Sequence, residues 1–212
     1  MEKCDYYQLS IDELGKIEKS GVKPSLLLHA CCGVCPIFPL SWLYKYFDIT
    51  VYFNNSNIFP YEEYGKRLEE LITYISEFNS RNKTNIKLIN TDYDNDTFIQ
   101  DLLPFADLPE GEKRCFICYY KRMKDANNYA ELKHFDYFTT VMSVSRQKSS
   151  EVLNEIGCEL VKENKHTKYF YSDFKKKSGG EIGTKIAKDK KMYIQEYCGC
   201  QFSLKNSLDK QK

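Results

Sequence analysis

The feature that most constrains this chain is the regular exchange of short buried runs for helical ones. Leu26–His29 reads as a short buried strand. Asp48–Asn55, DITVYFNN, is a β-branched and aromatic run closed by Asn, hence a second strand. Asn85–Asp94 gives a third strand, and Phe135–Ser145 a fourth that ends in hydroxyl residues. Helical patterns separate them: Trp42–Phe47, Pro60–Asn79, a stretch near Pro104, Arg114–His134 and Ser149–Asn164, with a last one over roughly Thr184–Tyr197. The strongest is Pro60–Asn79, where Tyr64, Leu68, Leu71, Ile72, Ile75 and Phe78 keep helical spacing behind a first-turn proline. The order β-α-β-α-β-α-α-β-α-α predicts an α/β fold, an open and mostly parallel sheet with helices on both faces. Such folds bind ligands beyond the carboxyl ends of their strands.

Three cysteines stand at that place. Leu26–Pro36 reads LLLHACCGVCP, so Cys31, Cys32 and Cys35 follow the first strand directly. Neighbouring cysteines rarely bond to each other, because the disulfide geometry is strained. A second group, Cys115 and Cys118, has the CxxC spacing that lets two thiolates converge on one centre, and Lys113 and Arg114 before it are expected to lower the thiol pKa values. Four thiolates from Cys31, Cys32, Cys115 and Cys118 fit either tetrahedral zinc or an iron–sulfur cluster. The adjacent pair favours the cluster, since two neighbouring sulfurs reach different metal atoms more easily than a single ion. Cys198-Gly-Cys200 can close a small, labile disulfide of the catalytic kind or supply two further ligands; redox chemistry is the favoured reading. Cys4 reads as an exposed bystander, Cys158 as a small helix hydrophobe and His29 as a hydrogen-bonded core residue.

Composition narrows the setting. The N-terminus is polar and acidic, and no run approaches the roughly 18 apolar residues of a membrane helix, so a cytoplasmic protein with no membrane partner is expected. Nine cysteines, an odd number, argue there against a disulfide framework and for metal or redox roles. Residues 1–160 carry a net charge of −6 and residues 161–212 a net of +7. That divides one expected domain, 1–212, into a sheet core of about 22–160 and a basic segment of about 161–212 that holds the CGC pair. Asn54, Asn55 and Asn57 after the second strand could read a polar ligand, and Lys175, Lys176 and Lys177 could meet phosphates. No GxxxxGK[ST], GxGxxG or SGGxDS loop is present, so ATP or NAD binding has no direct support.

Taken together, LLLHACCGVCP, NNSNIFPYEEYGKRLEE, RCFICYYKRMKDA, FTTVMSVSRQK and MYIQEYCGCQFS resemble the successive signatures of the cobalamin-independent epoxyqueuosine reductases. The resemblance runs in order from about Leu26 to Ser203. It implies a sheet like that of the adenine-nucleotide α-hydrolases, without the nucleotide loop and with a helical C-terminal extension. It implies a 4Fe–4S cluster on Cys31, Cys32, Cys115 and Cys118, and a redox-active pair at Cys198 and Cys200. The implied reaction removes the epoxide oxygen of epoxyqueuosine at the tRNA wobble position, giving queuosine, with electrons from an external donor of ferredoxin or flavodoxin type. Cys35 departs from relatives that carry an acidic residue associated with a second metal, which makes it a candidate ligand for an additional iron. KKKSGGEIG and the Ile of YIQEY also depart from the family pattern, in the region expected to meet tRNA. Two other readings compete: an iron–sulfur-dependent tRNA thiolation enzyme on a related fold, and a zinc-stabilised RNA-binding module without catalysis.

Overall fold

The computed structural model describes residues 4–209. In chain order the elements are α1 (Tyr6–Ser20), β1 (Ser25–His29), α2 (Ile37–Leu43), β2 (Asp48–Phe53), α3 (Tyr61–Asn82), β3 (Lys87–Asn90), α4 (Asn95–Ile99), α5 (Lys113–Leu132), β4 (Tyr137–Thr140), α6 (Ser150–Leu160), β5 (Lys168–Tyr169), α7 (Gly179–Asp189) and α8 (Gln201–Asp209). Five strands form one sheet in the order β3-β2-β1-β4-β5, and every pairing is parallel. The α/β fold expected from the sequence is the fold found.

Alternation along the strands builds two cores. Leu26 and Leu28 face one layer, with Ile49, Val51 and Phe53 of β2 and buried residues of α1, α2, α3 and α7. Leu27, Tyr52 and Phe138 face the other, with Tyr119, Met123 and Ala126 of α5 and Leu153 of α6. β1 is central and covered on both sides, which is why it reads as an unbroken apolar run. The chain winds outward from β1 to β3 over one face, crosses, and returns through β4 and β5 over the other. The reversal lies between β1 and β4, so the crevice opens beyond His29 and Thr140.

Several boundaries differ from expectation for local reasons. The first crossover helix lies earlier, at Ile37–Leu43, because Pro36 caps it and Pro39 falls in the first turn, where amide hydrogens have no helical partner. The strand ending in hydroxyls stops at Thr140, and Val141–Val144 turn over as a 3-10 helix capped by the Thr140 side chain. The last expected helix is displaced to Gly179–Asp189, and Lys191 at φ 55° leaves residues 190–200 irregular. Three elements had no expectation, one of them α8, which follows the CGC pair. α1 is capped by Asp5, whose carboxylate accepts from Tyr7 and Gln8. The two-residue β5 carries too little pattern to read as a strand, yet Tyr169 is buried against Gly157 of α6, where an added Cβ would lie 2.3 Å from the ring.

The edge beyond β5 is tied by Glu131, which accepts backbone hydrogen bonds from Lys165, His166 and Thr167. The amides of Thr167 and Lys165 lead in holding its pKa down, from 4.5 to about 2. A lowered carboxylate contributes stability that is present above pH 4.5 and is lost as pH falls toward 2. Glu131→Gln is therefore expected to melt earlier than the parent at pH 6, with the gap closing by pH 2.5 in calorimetric scans.

Candidate thiol site at the sheet edge

Three chain segments bring seven cysteines to the crevice beyond β1 and β4. The loop after β1 supplies Cys31, Cys32 and Cys35, whose sulfurs all lie within 4.8 Å of one another. Cys32 and Cys35 are joined as a disulfide with Cα atoms 5.6 Å apart, and Cys31 Sγ stands 3.7 Å from Cys35 Sγ. The bond runs against the expectation of free thiols here, in which Cys32 is a cluster ligand and Cys35 a candidate ligand for an additional iron. It forms because the tight turn aims the Cys35 amide at Cys32 Sγ, 3.1 Å away, and folds the two side chains together. Gln195 Nε2 donates to Cys32 Sγ at 3.4 Å, and its Oε1 is buried without a partner among the described residues.

The first two turns of α5 supply Cys115 and Cys118. The Gly111 amide donates to Cys115 Sγ at 3.2 Å. The expected lowering of these thiol pKa values does not occur. Burial pushes Cys118 up to about 12 against the pull of Arg122, and burial likewise raises Cys115. Arg114 opposes the Cys115 shift by less than burial and the Gly111 amide contribute, and its guanidinium is held on the carbonyls of Phe105, Ala106 and Leu108. Lys113 lies over the Phe105 ring, 4.5 Å from its centre.

The third segment is the irregular 190–200 stretch, and α3 fixes it. Arg67, fully buried, donates from Nη1 to the Cys198 carbonyl at 3.0 Å and from Nη2 to the Tyr197 carbonyl at 3.1 Å. Its Nε pairs with Glu63 at 2.7 Å, and Glu63 also accepts from Tyr193. Gly199 sits at φ 132° with its carbonyl on the Phe59 amide, and a Cβ there would lie 3.0 Å from Arg67 Nη1. Only glycine fits such a position easily. Cys198 and Cys200 are separate thiols in this structure. Burial and the Cys198 neighbour raise Cys200 to about 11.

Between the segments lies a cavity of about 340 Å³, lined by Cys31, Cys35, Cys198, Lys148, Gln195 and Glu110 among others. Burial works against the charge on Lys148, but the thiols of Cys198 and Cys31 outweigh it and its pKa is raised. Arg122 of α5 reaches the same thiols from behind. His29 is a hydrogen-bonded core residue, as expected, with Nδ1 2.9 Å from Thr140 Oγ1. Burial, then Arg122, holds its pKa well below the usual value, so it is neutral.

The other expected residues lie further off. Asn54 bridges Asp125 and Thr91, and Asn57 is buried with its Oδ1 unpartnered among the described residues. Asn55 is the asparagine that meets the site, through Arg122. Lys175 is bound to Ser150 and the Lys148 carbonyl, while Lys176 and Lys177 are exposed. A second hollow of about 650 Å³ shares Cys35, Ser145 and Gln195 with the thiol cavity and carries Arg146, Lys185 and Lys188. Arg67, Arg122 and Lys148 were not expected. Helical spacing from Cys118 could have pointed to Arg122, but nothing local marks Arg67 or Lys148.

The family described as "Epoxyqueuosine reductase QueH" matches residues 26–206. The chain belongs to that family. Among its relatives, the epoxyqueuosine reductase QueH of Streptococcus pyogenes serotype M1 is 35% identical over 201 residues, 94% of this chain and 78% of the relative. That of Staphylococcus aureus is 32% identical over 95% of this chain and 85% of the relative. That of Thermotoga maritima is 29% identical over 88% and 93%. Membership of the QueH family makes the chain an oxidoreductase. Its cysteine cluster can bind metal, and no helix among the described residues is long and apolar enough to cross a membrane.

Proposed function

We propose that this QueH-family chain reduces epoxyqueuosine in tRNA to queuosine, with a 4Fe–4S cluster on Cys31, Cys32, Cys115 and Cys118 and a dithiol pair at Cys198 and Cys200. The observation that carries the reading is the convergence of these thiols, from three segments, on one crevice that also holds two cations. The donor set fits the group: sulfurs on buried or half-buried residues beside a cation whose Nε is unpartnered among the described residues. The cluster, when bound, would supply one-electron transfer, and Lewis acidity would fall to the additional iron for which Cys35 is the candidate ligand.

The balance is simple. Opening the epoxide and forming the carbon–carbon double bond takes two electrons and two protons and releases water. The Cys198 and Cys200 thiols hold both pairs, and their oxidation forms one S–S bond. An external donor of ferredoxin or flavodoxin type returns the disulfide to the dithiol. Lys148 and Cys198 line the same cavity, and that sulfur helps to keep Lys148 charged. Cys35 is a candidate ligand for an additional iron, and the basic surface around Lys175, Lys176 and Lys177 a candidate tRNA contact, with Asn54 and Asn57 as weaker candidates.

The Cys32–Cys35 bond sets a condition on this reading. Cys32 is a ligand only as a thiolate, so the bond must be reduced before the cluster enters. Anaerobic reconstitution with iron and sulfide is expected to load the protein fully after treatment with a dithiol reductant, and at well under half that level without it. The loaded protein is then given epoxyqueuosine-containing tRNA and a low-potential reductant, and nucleosides are measured by mass spectrometry. Full loading with no queuosine formed defeats the assignment. The Cys31, Cys32 and Cys35 sulfurs are also close enough to hold a single ion. One zinc and no sulfide in protein purified without oxygen would favour that reading.

A further inference from the structure

We propose that Arg122 is the fixed counter-charge of the thiol site, a positioning residue that raises the reduction potential of the cluster held there. The proposal rests on the cluster reading above. α5 carries Cys115, Cys118 and Arg122 at spacings of three and four, so all lie along one face. That face points at the crevice, and Arg122 is 2% exposed.

The neighbours of Arg122 on the protein side are neutral. Nη2 donates to Asn55 Oδ1 at 2.6 Å, and Asn55 is held in turn by its own Nδ2 on the Ala30 carbonyl at 2.7 Å. Nη2 also stands 3.4 Å from His29 Nε2. A guanidinium has no acceptor, so Nε2 must accept and the His29 proton sits on Nδ1, facing Thr140. Both neighbours therefore fix the guanidinium without neutralising it. No carboxylate pairs with Arg122 among the described residues. Its Nε has no hydrogen-bond partner among them either.

An unpaired buried charge is costly, and a fold keeps one where something balances it. Cys118 stands one turn before Arg122 on α5, and the negative charge that Arg122 feels comes from the sulfurs of Cys118, Cys31 and Cys198. Those sulfurs span the proposed ligand set and the proposed dithiol. A thiolate-bound cluster is anionic and gains another negative charge on reduction. A permanent positive charge in a dry site stabilises the reduced form more than the oxidised one, which raises the potential. Arginine suits this role better than lysine, since it stays charged when buried and its planar fork can be clamped by Asn55.

The test is a redox titration of reconstituted protein, followed by electron paramagnetic resonance, without tRNA or turnover. Arg122→Gln is expected to keep the iron and sulfide content of the parent and to shift the midpoint to more negative potential. Arg122→Lys keeps the charge, and its shift is expected to be smaller. An unmoved midpoint in loaded Arg122→Gln protein overturns the proposal. If the Gln variant does not fold or load, Arg122→Lys decides. Near-parental iron content and midpoint in the Lys variant uphold the charge role, whereas folded Lys protein that also fails to load overturns it. Parent protein that takes up no iron and sulfide removes the cluster reading itself, a failure distinct from loaded variants with an unchanged midpoint.

Discussion

Replacing Cys198 by serine is expected to leave the cluster in place and to cut queuosine formation by about a thousandfold or more, the scale seen when one member of a catalytic unit is removed. The expectation separates two roles that seven crowded thiols would otherwise blur. The backbone of Cys198 is held by Arg67 at its carbonyl and by Ser203 Oγ at its amide, 3.1 Å away, so the side chain can change without releasing the turn. A serine hydroxyl keeps a polar acceptor in the cavity that Lys148 lines. Iron and sulfide content and the visible spectrum should therefore match the parent, while the two-electron store is gone. Cys118→Ser is the contrast, expected to lose iron and activity together. Loss of iron in the Cys198 variant would move that residue into the ligand set.

Much of the scaffold behind this prediction was legible in the chain, and the reason is periodicity. β1, β2 and α3 are long or regular enough to show their buried faces, and the strand–helix order alone puts Cys31 at the carboxyl end of a central strand. The cysteines themselves were visible because their clustering is rare. What stayed hidden depends on contacts far apart in sequence. Arg67 reads as a polar position on a good helix, and its burial follows from carbonyls 130 and 131 residues away. Arg122 reads as one more cation in a basic stretch until Asn55 and His29 close around it. The Cys32–Cys35 bond depends on turn geometry that spacing leaves open. The thiol pKa values went the other way from expectation because burial, which spacing does not reveal, outweighs the neighbouring cations.

Arg67→Met is expected to be the most damaging single change outside the cysteines. It deletes three contacts at once: the ion pair with Glu63 and the hydrogen bonds to the carbonyls of Tyr197 and Cys198. Glu63 is buried, so its carboxylate would be left without a counter-charge, with the Tyr193 hydroxyl still donating to it. Breaking a buried pair on one side costs about 3–5 kcal/mol. In urea titrations the variant should unfold at clearly lower denaturant than the parent. Adding Glu63→Gln should recover part of the loss, because the uncompensated charge is then gone; no recovery would mean that the carbonyl contacts, rather than the ion pair, dominate. The functional consequence is more specific than the stability loss. With Arg67 gone, the Cys198–Gly199–Cys200 turn keeps the Phe59 and Leu204 amides and Ser203 as anchors, none of them from α3. Limited proteolysis at Lys190 and Lys191 should accelerate, and turnover should fall even at temperatures where the sheet remains folded. A variant that is destabilised but retains parental turnover when folded would show that the turn finds its place without α3.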